Sequence, residues 1–126
     1  MAAFEESGLA KLATVTGVDM KTAGKTILYT VPTGKTFYPI SVVIRETSAS
    51  LAGGTEYDFG TGANCDTWVQ NIDLSLMTTA GTDFREIRSV STKYTDCAAA
   101  SEFGIKVITG STAACTATID VIGFIA

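Results

Sequence analysis

The acidic residues of the segment 56–59 are the side chains of this chain best placed for catalysis. Glu56 and Asp58 lie two residues apart in an alternating stretch, so on a strand both carboxylates project from one face. Such a pair can act as general acid and base or supply oxygen ligands to calcium. No D-x-D-x-D-G calcium loop accompanies it, and the 126 residues include no histidine. The pair is therefore interpreted as solvated, and no enzymatic activity is predicted.

Two G-K-T triplets, beginning at Gly24 and Gly34, are the only patterns that suggest phosphate binding. A phosphate-binding loop needs another glycine five residues earlier and a helix afterwards. Those earlier positions hold Asp19 and Tyr29, and no helical pattern follows either triplet. Both triplets are interpreted as turns that precede strands, and no nucleotide or other cofactor is expected.

The aromatic residues Tyr57 and Trp68 are candidate ligand contacts. With Asn64 and Asp66 close in sequence, they could form a platform on which a sugar ring stacks while polar groups bind its hydroxyls. The alternative is core packing, because Trp68 is in phase with Leu74 on a predicted strand.

Cys65, Cys97 and Cys115 do not indicate a metal site. The cysteines are far apart in sequence, no C-x-x-C pattern occurs, and no histidine is available to complete a zinc shell. Their odd number leaves at least one thiol unpaired, which fits synthesis in a reducing cytoplasm. We interpret them as small buried hydrophobic residues.

Length and charge restrict the partners. A chain of 126 residues is long enough to bury a core as one domain. The net charge of -4 disfavours nucleic acid and anionic lipid, since both demand clustered lysine and arginine. No apolar run approaches the roughly 20 residues that span a bilayer.

Charged residues make up only 17% of the chain, so the surface is expected to be rich in threonine, serine and small residues. Such a surface is suited to burial against neighbouring proteins, and it also fits an ordinary threonine-rich β domain.

The segment 25–46 predicts a strand, a tight turn and a second strand. β-branched and aromatic residues dominate both flanks, and Pro32 and Gly34 lie where a turn requires them. The second strand is apolar on both faces, so one face is expected to meet the core and the other a second layer or another subunit. Pro39 is predicted to lie at an edge or a bulge.

The remaining pattern is that of an all-β domain. Trp68, Ile72, Leu74 and Leu76 share one parity and predict a half-buried strand, and the segment 113–125 predicts a long one. About seven to nine strands separated by turn signals, without an amphipathic helix, predict an antiparallel β-sandwich of the jelly-roll type. An immunoglobulin-like sandwich is the nearest alternative, but no Cys, Trp, Cys order appears with suitable spacing. Residues 12–126 form this single domain, and residues 1–11 are predicted to be a flexible N-terminal arm.

Two segments resemble a group of small virion proteins of tailed bacteriophages. In that group a short arm leads into a V-P-x-G-K strand pair, and the chain ends in a T-x-D-V-I-G-Y/F strand. The matching segments here are L-Y-T-V-P-T-G-K-T-F-Y-P-I-S-V-V-I-R-E-T (28–47) and A-T-I-D-V-I-G-F-I (117–125). Phe124 stands where tyrosine is frequent in the group.

The resemblance implies a jelly-roll-like, commonly trimeric head decoration (cement) protein or a fibre tip. We therefore expect a non-enzymatic protein that binds the outer surface of the major capsid protein lattice and stabilises the head, located on the capsid surface of the virion. The alternative is a carbohydrate- or receptor-binding module of a tail fibre. In a homotrimer the apolar end of the chain could be buried between copies, and the arm could order on a partner. The candidate interface residues are Phe4, Leu9, Ile122, Phe124 and Ile125.

Overall fold

The structure is a computed structural model that describes residues 10–89 and 95–126. Phe4, Leu9 and most of the predicted arm lie outside the described residues, and the arm's last two residues belong to the first strand. The described residues form eight strands and no helix that could cross a membrane. The strands are β1 (Ala10–Asp19), β2 (Gly24–Thr30), β3 (Phe37–Arg45), β4 (Glu56–Gly60), β5 (Val69–Ile72), β6 (Arg85–Arg88), β7 (Glu102–Thr109) and β8 (Thr116–Ile125).

The strands pair into two antiparallel four-stranded sheets. Sheet 1 has the order β1-β8-β3-β6, and sheet 2 has the order β2-β7-β4-β5. Successive strands lie in alternate sheets except for β4 and β5, which are neighbours in sheet 2. The two strand orders together are those of a jelly roll. The predicted all-β sandwich of jelly-roll type is confirmed.

β3 and β8 are the two central strands of sheet 1. Their side chains alternate between the two faces of the sheet, and one set of apolar side chains lies in the core. Val42 pairs with Val121 and Ile44 with Ile119, and all four are buried. Side chains of directly paired residues in antiparallel strands lie on the same face. A register shift between Pro39 and Ser41 confirms the predicted bulge, which inserts Ile40 as an extra residue.

Loops close both ends of the sandwich. At the near end, Leu51 N–H donates to the Met77 carbonyl at 2.9 Å, and Thr112 N–H donates to the Ala52 carbonyl at 2.9 Å. At the far end, Phe37 N–H donates to the Cys97 carbonyl at 2.9 Å. The near end consists of the loops 20–23, 46–55, 73–84 and 110–115. The far end consists of the loops 31–36 and 61–68, together with residues 89 and 95–101.

The predicted strand 68–76 is shorter than its apolar parity suggested. β5 ends at Ile72, after Asn71 adopts a φ of 60°. The Asp73 carboxylate then accepts hydrogen bonds from the N–H of Ser75 at 2.9 Å and from its hydroxyl at 2.6 Å. This turn leaves Leu76 90% exposed, so the prediction that Leu76 shares the buried face is wrong.

Aromatic side chains from both sheets meet in the core near the far end. The Phe37 ring lies 5.1 Å from Tyr29 and 5.5 Å from Phe103, in edge contacts. Phe103 in turn contacts Trp68 edge-on at 5.5 Å. Such pairs add about 0.5–1.5 kcal/mol each beyond the area that they bury. The three cysteines are also buried and free, as predicted.

Replacing Phe37 by alanine should lower the free energy of unfolding by about 3–5 kcal/mol, because a fully buried ring is lost from a packed site. The matched control is Phe84→Ala, since Phe84 is 69% exposed; its expected effect in dilute solution is within about 0.5 kcal/mol. Urea unfolding followed by Trp68 fluorescence measures both. Equal losses in the two variants would contradict this account of the core.

Candidate interaction surfaces

The outer face of sheet 1 carries an apolar patch, which we call the sheet-1 face. Tyr38 and Phe124 pair across β3 and β8, and their rings stack with centroids 4.9 Å apart. Ile40, at the bulge, is 37% exposed, whereas Val43 and Ile122 are half-buried. Both faces of β3 are thus apolar, and the described residues form no second layer over the outer one. The sheet-1 face consists of Tyr38, Ile40, Val43, Ile122 and Phe124.

A charged cluster lies on the same outer face, toward the near end. Asp120 is only 7% exposed, and its carboxylate accepts hydrogen bonds from Arg45 Nε at 2.8 Å and from the Thr14 hydroxyl at 2.8 Å. Arg45 also contacts Glu46. Hydrogen bonding from Arg45 lowers the pKa of Asp120 below its ordinary value, although burial opposes this effect. The cluster ties β1 and β3 to β8 and fixes a charged region beside the apolar patch.

The candidate interface residues do not form one surface. Ile122 and Phe124 lie on the sheet-1 face. Ile125 pairs with Phe37 and packs against the hydrophobic core, so it points away from the other two. Phe4 and Leu9 lie outside the described residues.

The candidate ligand contacts Tyr57 and Trp68 lie in the core, with exposed fractions of 0% and 1%. The Tyr57 hydroxyl donates to the Met20 carbonyl at 2.8 Å, and burial raises its pKa to about 12. Trp68 packs on Phe103. Neither side chain forms an exposed aromatic platform.

The outer face of sheet 2 is partly covered by the chain itself. The loop 61–67 is held there because Lys25 Nζ donates to the Gly62 carbonyl at 3.0 Å and Lys106 Nζ donates to the Asn64 amide oxygen at 3.1 Å. Cys65 packs so closely over Gly104 that a Cβ on this glycine would lie 3.3 Å from Cys65 Sγ. The two outer faces of the sandwich therefore differ.

Asp58, which the sequence suggested to be solvated, is buried with 7% exposure. Its carboxylate accepts a hydrogen bond from the backbone N–H of Asn71 at 2.8 Å. Asp58 thus joins β4 to the end of β5. Residues 10–89 and 95–126 contain no group of three or more acidic or cysteine side chains arranged to hold a metal ion.

Leu76 and Phe84 form a protruding apolar pair, which we call the edge knob. They are 90% and 69% exposed and border a groove of about 640 Å³ that also contains Asp83 and Arg85. The groove lies at the near end of the edge formed by β5 and β6. Sequence reasoning missed this feature because it assigned Leu76 to a strand, although the D-x-S spacing of Asp73 and Ser75 is a turn signal.

A smaller apolar pocket of about 320 Å³ lies at the far end, beside the last residue of β6. We call it the far pocket. It is lined by residues of the sheet-1 face and by Trp68 from the core. Asp96 is the one charged residue among its lining residues. The main lining residues are Tyr38, Ile40, Trp68, Ser89, Asp96 and Phe124.

Comparisons with known proteins identify a fold and no family. No protein-family model matches the chain, and no curated protein matches it. Among solved structures, the chain is similar to a chain in the acidic stable capsid structure of Helicobacter pylori bacteriophage KHP30. The TM-score is 0.54 at 11% sequence identity, and the match covers 92% of this chain and 90% of the other. At this identity the similarity shows that the two chains share a fold.

The lowered pKa of Asp120 predicts a loss of stability in acid. The stabilisation is fully present above the ordinary pKa of 3.8 and is lost as the pH falls through the lower value of the folded state. Wild type should therefore be more stable than Asp120→Asn at pH 7, and the difference should shrink below about pH 4. Urea unfolding from pH 7 to pH 2 measures this.

Thr14→Val is the matched control for the Asp120 measurement, because it keeps the carboxylate and the arginine but removes one donor. It should retain most of the acid dependence of wild type. A stability difference between wild type and Asp120→Asn that stays constant down to pH 2 would contradict the assignment.

Proposed function

We propose that this chain is a non-enzymatic structural protein of a tailed-bacteriophage virion that decorates the head. It binds the outer surface of the major capsid lattice through the sheet-1 face. The observation that carries the proposal is this apolar face, which lies on a jelly roll similar over 92% of its length to a chain of a phage capsid. Jelly rolls also occur in lectins and other proteins, so the surface rather than the fold supports the assignment.

The sheet-1 face has the chemistry of a protein interface. Its centre is aromatic and aliphatic, and the Tyr38 and Phe124 rings are already stacked in the free chain. A preformed surface loses little side-chain freedom on binding, so more of the burial energy stabilises the complex. The neighbouring Arg45 and Asp120 cluster is held by short hydrogen bonds and offers a fixed polar rim beside an apolar centre, which is the usual arrangement.

The charge of the chain fits an outward position on a phage head. A net charge of -4 repels the packaged DNA and would oppose binding to the inner surface of a capsid.

The alternative of a sugar-binding tail-fibre tip depended on Tyr57 and Trp68 as exposed aromatic contacts, and both side chains are buried. Decoration of the head is therefore favoured over a sugar-binding tip.

The position of the protein on the virion tests this proposal directly. Particles of a phage that encodes this chain are incubated with a gold-labelled antibody against it and imaged by electron microscopy. Gold over the faces of the head is the expected result. Gold at the tail, or particles without label although the protein is present in infected cells, would overturn the assignment.

A pair of matched isoleucine variants tests the binding surface. Ile122 lies on the sheet-1 face, whereas Ile27, which is 44% exposed, lies in sheet 2. Ile122→Asp should weaken co-sedimentation with capsids that lack the protein by about tenfold or more, because it places a charge in the apolar centre. Ile27→Asp should bind as wild type does. Both variants are first checked for an unchanged unfolding midpoint, and equal binding by the two would argue against this face.

A further inference from the structure

We infer that the capsid-binding surface of this chain continues from the sheet-1 face around β6 into the groove of the edge knob. The groove takes a raised segment of the major capsid protein that carries a large apolar side chain next to a lysine or arginine. This inference rests on the proposed function and deepens it, because it adds a second contact and states the chemistry of the capsid segment that fills it.

The sheet-1 face is too small to hold a protein partner by itself. It comprises only five residues, whereas a standard interface contains about 20–30 residues and buries about 800 Å² on each side. The groove of the edge knob adds nine lining residues and a volume of about 640 Å³. A stable complex with a capsid therefore needs more surface than the sheet-1 face offers, and the groove supplies part of it.

The groove is continuous with the sheet-1 face through β6. Val43 of that face pairs with Glu86 of β6. The preceding residue, Arg85, lines the groove, and it follows Phe84 of the edge knob directly in the chain. Because neighbouring strands lie only about 4.8 Å apart, one strand separates Val43 from the groove. A capsid surface seated on the sheet-1 face is thus within reach of the groove.

The edge knob gives the groove its apolar walls. Leu76 and Phe84 are 90% and 69% exposed, whereas Ile27, Ile40 and Ile108 are between 37% and 44% exposed. Both side chains of the knob line the groove, so an apolar group that enters the groove removes both from water. Burial of apolar surface is the main favourable contribution to most protein association, and a large apolar side chain is therefore the anchor that the groove selects.

The loop that carries the knob is fixed before any partner binds. The Asp73 carboxylate accepts hydrogen bonds from the Ser75 N–H at 2.9 Å and from its hydroxyl at 2.6 Å. The Asp83 carboxylate accepts one from Thr79 N–H at 2.9 Å, and Arg85 Nη1 donates to the Asp73 carbonyl at 3.1 Å. Because these bonds order the loop, binding costs less conformational entropy than it would with a flexible loop.

The groove itself is acidic. Its charged lining residues are Asp73, Asp83 and Arg85, two carboxylates and one guanidinium group, so its net charge is -1. Hydrogen bonding from Ser75 lowers the pKa of Asp73 below its ordinary value, so this carboxylate is ionised at neutral pH. A cationic group on the partner is therefore attracted to the groove, and a carboxylate on the partner is repelled.

The surroundings of the groove do not reverse this sign. The segment 37–88 contains β3 to β6 and every lining residue, and it carries seven carboxylates, three arginines and no lysine. Of these arginines, Arg45 is paired with Asp120 and Arg88 with Glu86. A second copy of this chain, with its net charge of -4, is a poorer occupant than a basic capsid segment. The charges thus favour lysine or arginine beside the apolar anchor.

Binding to capsids that lack the protein tests the extension of the surface. Leu76→Ala and Phe84→Ala should each weaken co-sedimentation by about tenfold, as truncation of an interface anchor does. Ile108→Ala is the matched control, because Ile108 is an exposed isoleucine of sheet 2, and it should bind as wild type does. Wild-type binding by both knob variants, with Ile122→Asp still weakened, would overturn this inference and leave the proposed function intact.

Asp83→Asn tests the charge of the partner. The variant keeps an oxygen that accepts from Thr79 N–H but removes the negative charge. It should bind capsids about threefold more weakly than wild type at low salt, and the difference should shrink as salt rises. Glu102→Gln, which removes one charge from β7 in sheet 2, is the control and should keep the salt dependence of wild type. Tighter binding by Asp83→Asn would overturn the assignment of a basic segment.

A photo-cross-link identifies the occupant of the groove. Chains carrying Leu76→Cys are labelled with benzophenone maleimide, bound to capsids and irradiated, and the joined peptides are identified by mass spectrometry. The native cysteines are buried, so the label goes to the new thiol. A peptide of the major capsid protein with lysine or arginine beside a large apolar residue is expected, and Ile108→Cys should not yield it. Products that join two copies of this chain, or a capsid peptide without a basic residue, would contradict the inference.

Discussion

The contact of Phe37 with the rings of Tyr29 and Phe103 holds the two sheets together, and much of the molecule is arranged around it. Phe37 belongs to sheet 1, whereas the rings at 5.1 and 5.5 Å belong to sheet 2. Its backbone N–H and carbonyl both form hydrogen bonds with Cys97, so the segment 95–101 is held at the same point. The ring also explains Gly123, because a Cβ there would lie 2.8 Å from it and 2.3 Å from the Tyr38 carbonyl. The two sequence segments on which the resemblance rests are thus in physical contact, one supplying the ring and the other the glycine that admits it.

The sequence predicted most of the strands and few of their exceptions. The segment 25–46 was readable because its apolar residues alternate and its turn residues are explicit. The end of β5 could not be read from the sequence. The positive φ of Asn71 changes the direction of the chain, but the alternation of apolar residues continues past this point in the sequence. Asp58 occupies an outward position by parity, yet it is buried, and the backbone N–H of Asn71 satisfies its carboxylate. The order of the strands depends on contacts between distant residues, which no local pattern records.

The two outer faces of the sandwich show how similar strands acquire different roles. In sheet 2, two lysines hold the loop 61–67 over the strands. Cys65 of this loop lies close to Gly104, so the chain itself covers part of that face. In sheet 1 the described chain leaves the apolar side chains of β3 and β8 uncovered. Ile122, Phe124 and Ile125 were grouped as interface candidates because they form one apolar end of the chain, although strand alternation places Ile125 on the opposite face, where it packs against the core.

The position of β8 has a consequence for how the chain reaches its structure. β8 is the last strand in sequence, yet it lies between β1 and β3 and pairs with both. β3 and β6 can pair earlier, but sheet 1 cannot be completed until residues 116–125 are available. β1 has no partner strand in sheet 1 until about a hundred further residues have been synthesised. Structures dominated by such distant pairings fold slowly, in milliseconds to seconds. During that interval β1 and β3 expose unpaired backbone and apolar side chains, so the nascent chain is most vulnerable to aggregation just before its final strand is added.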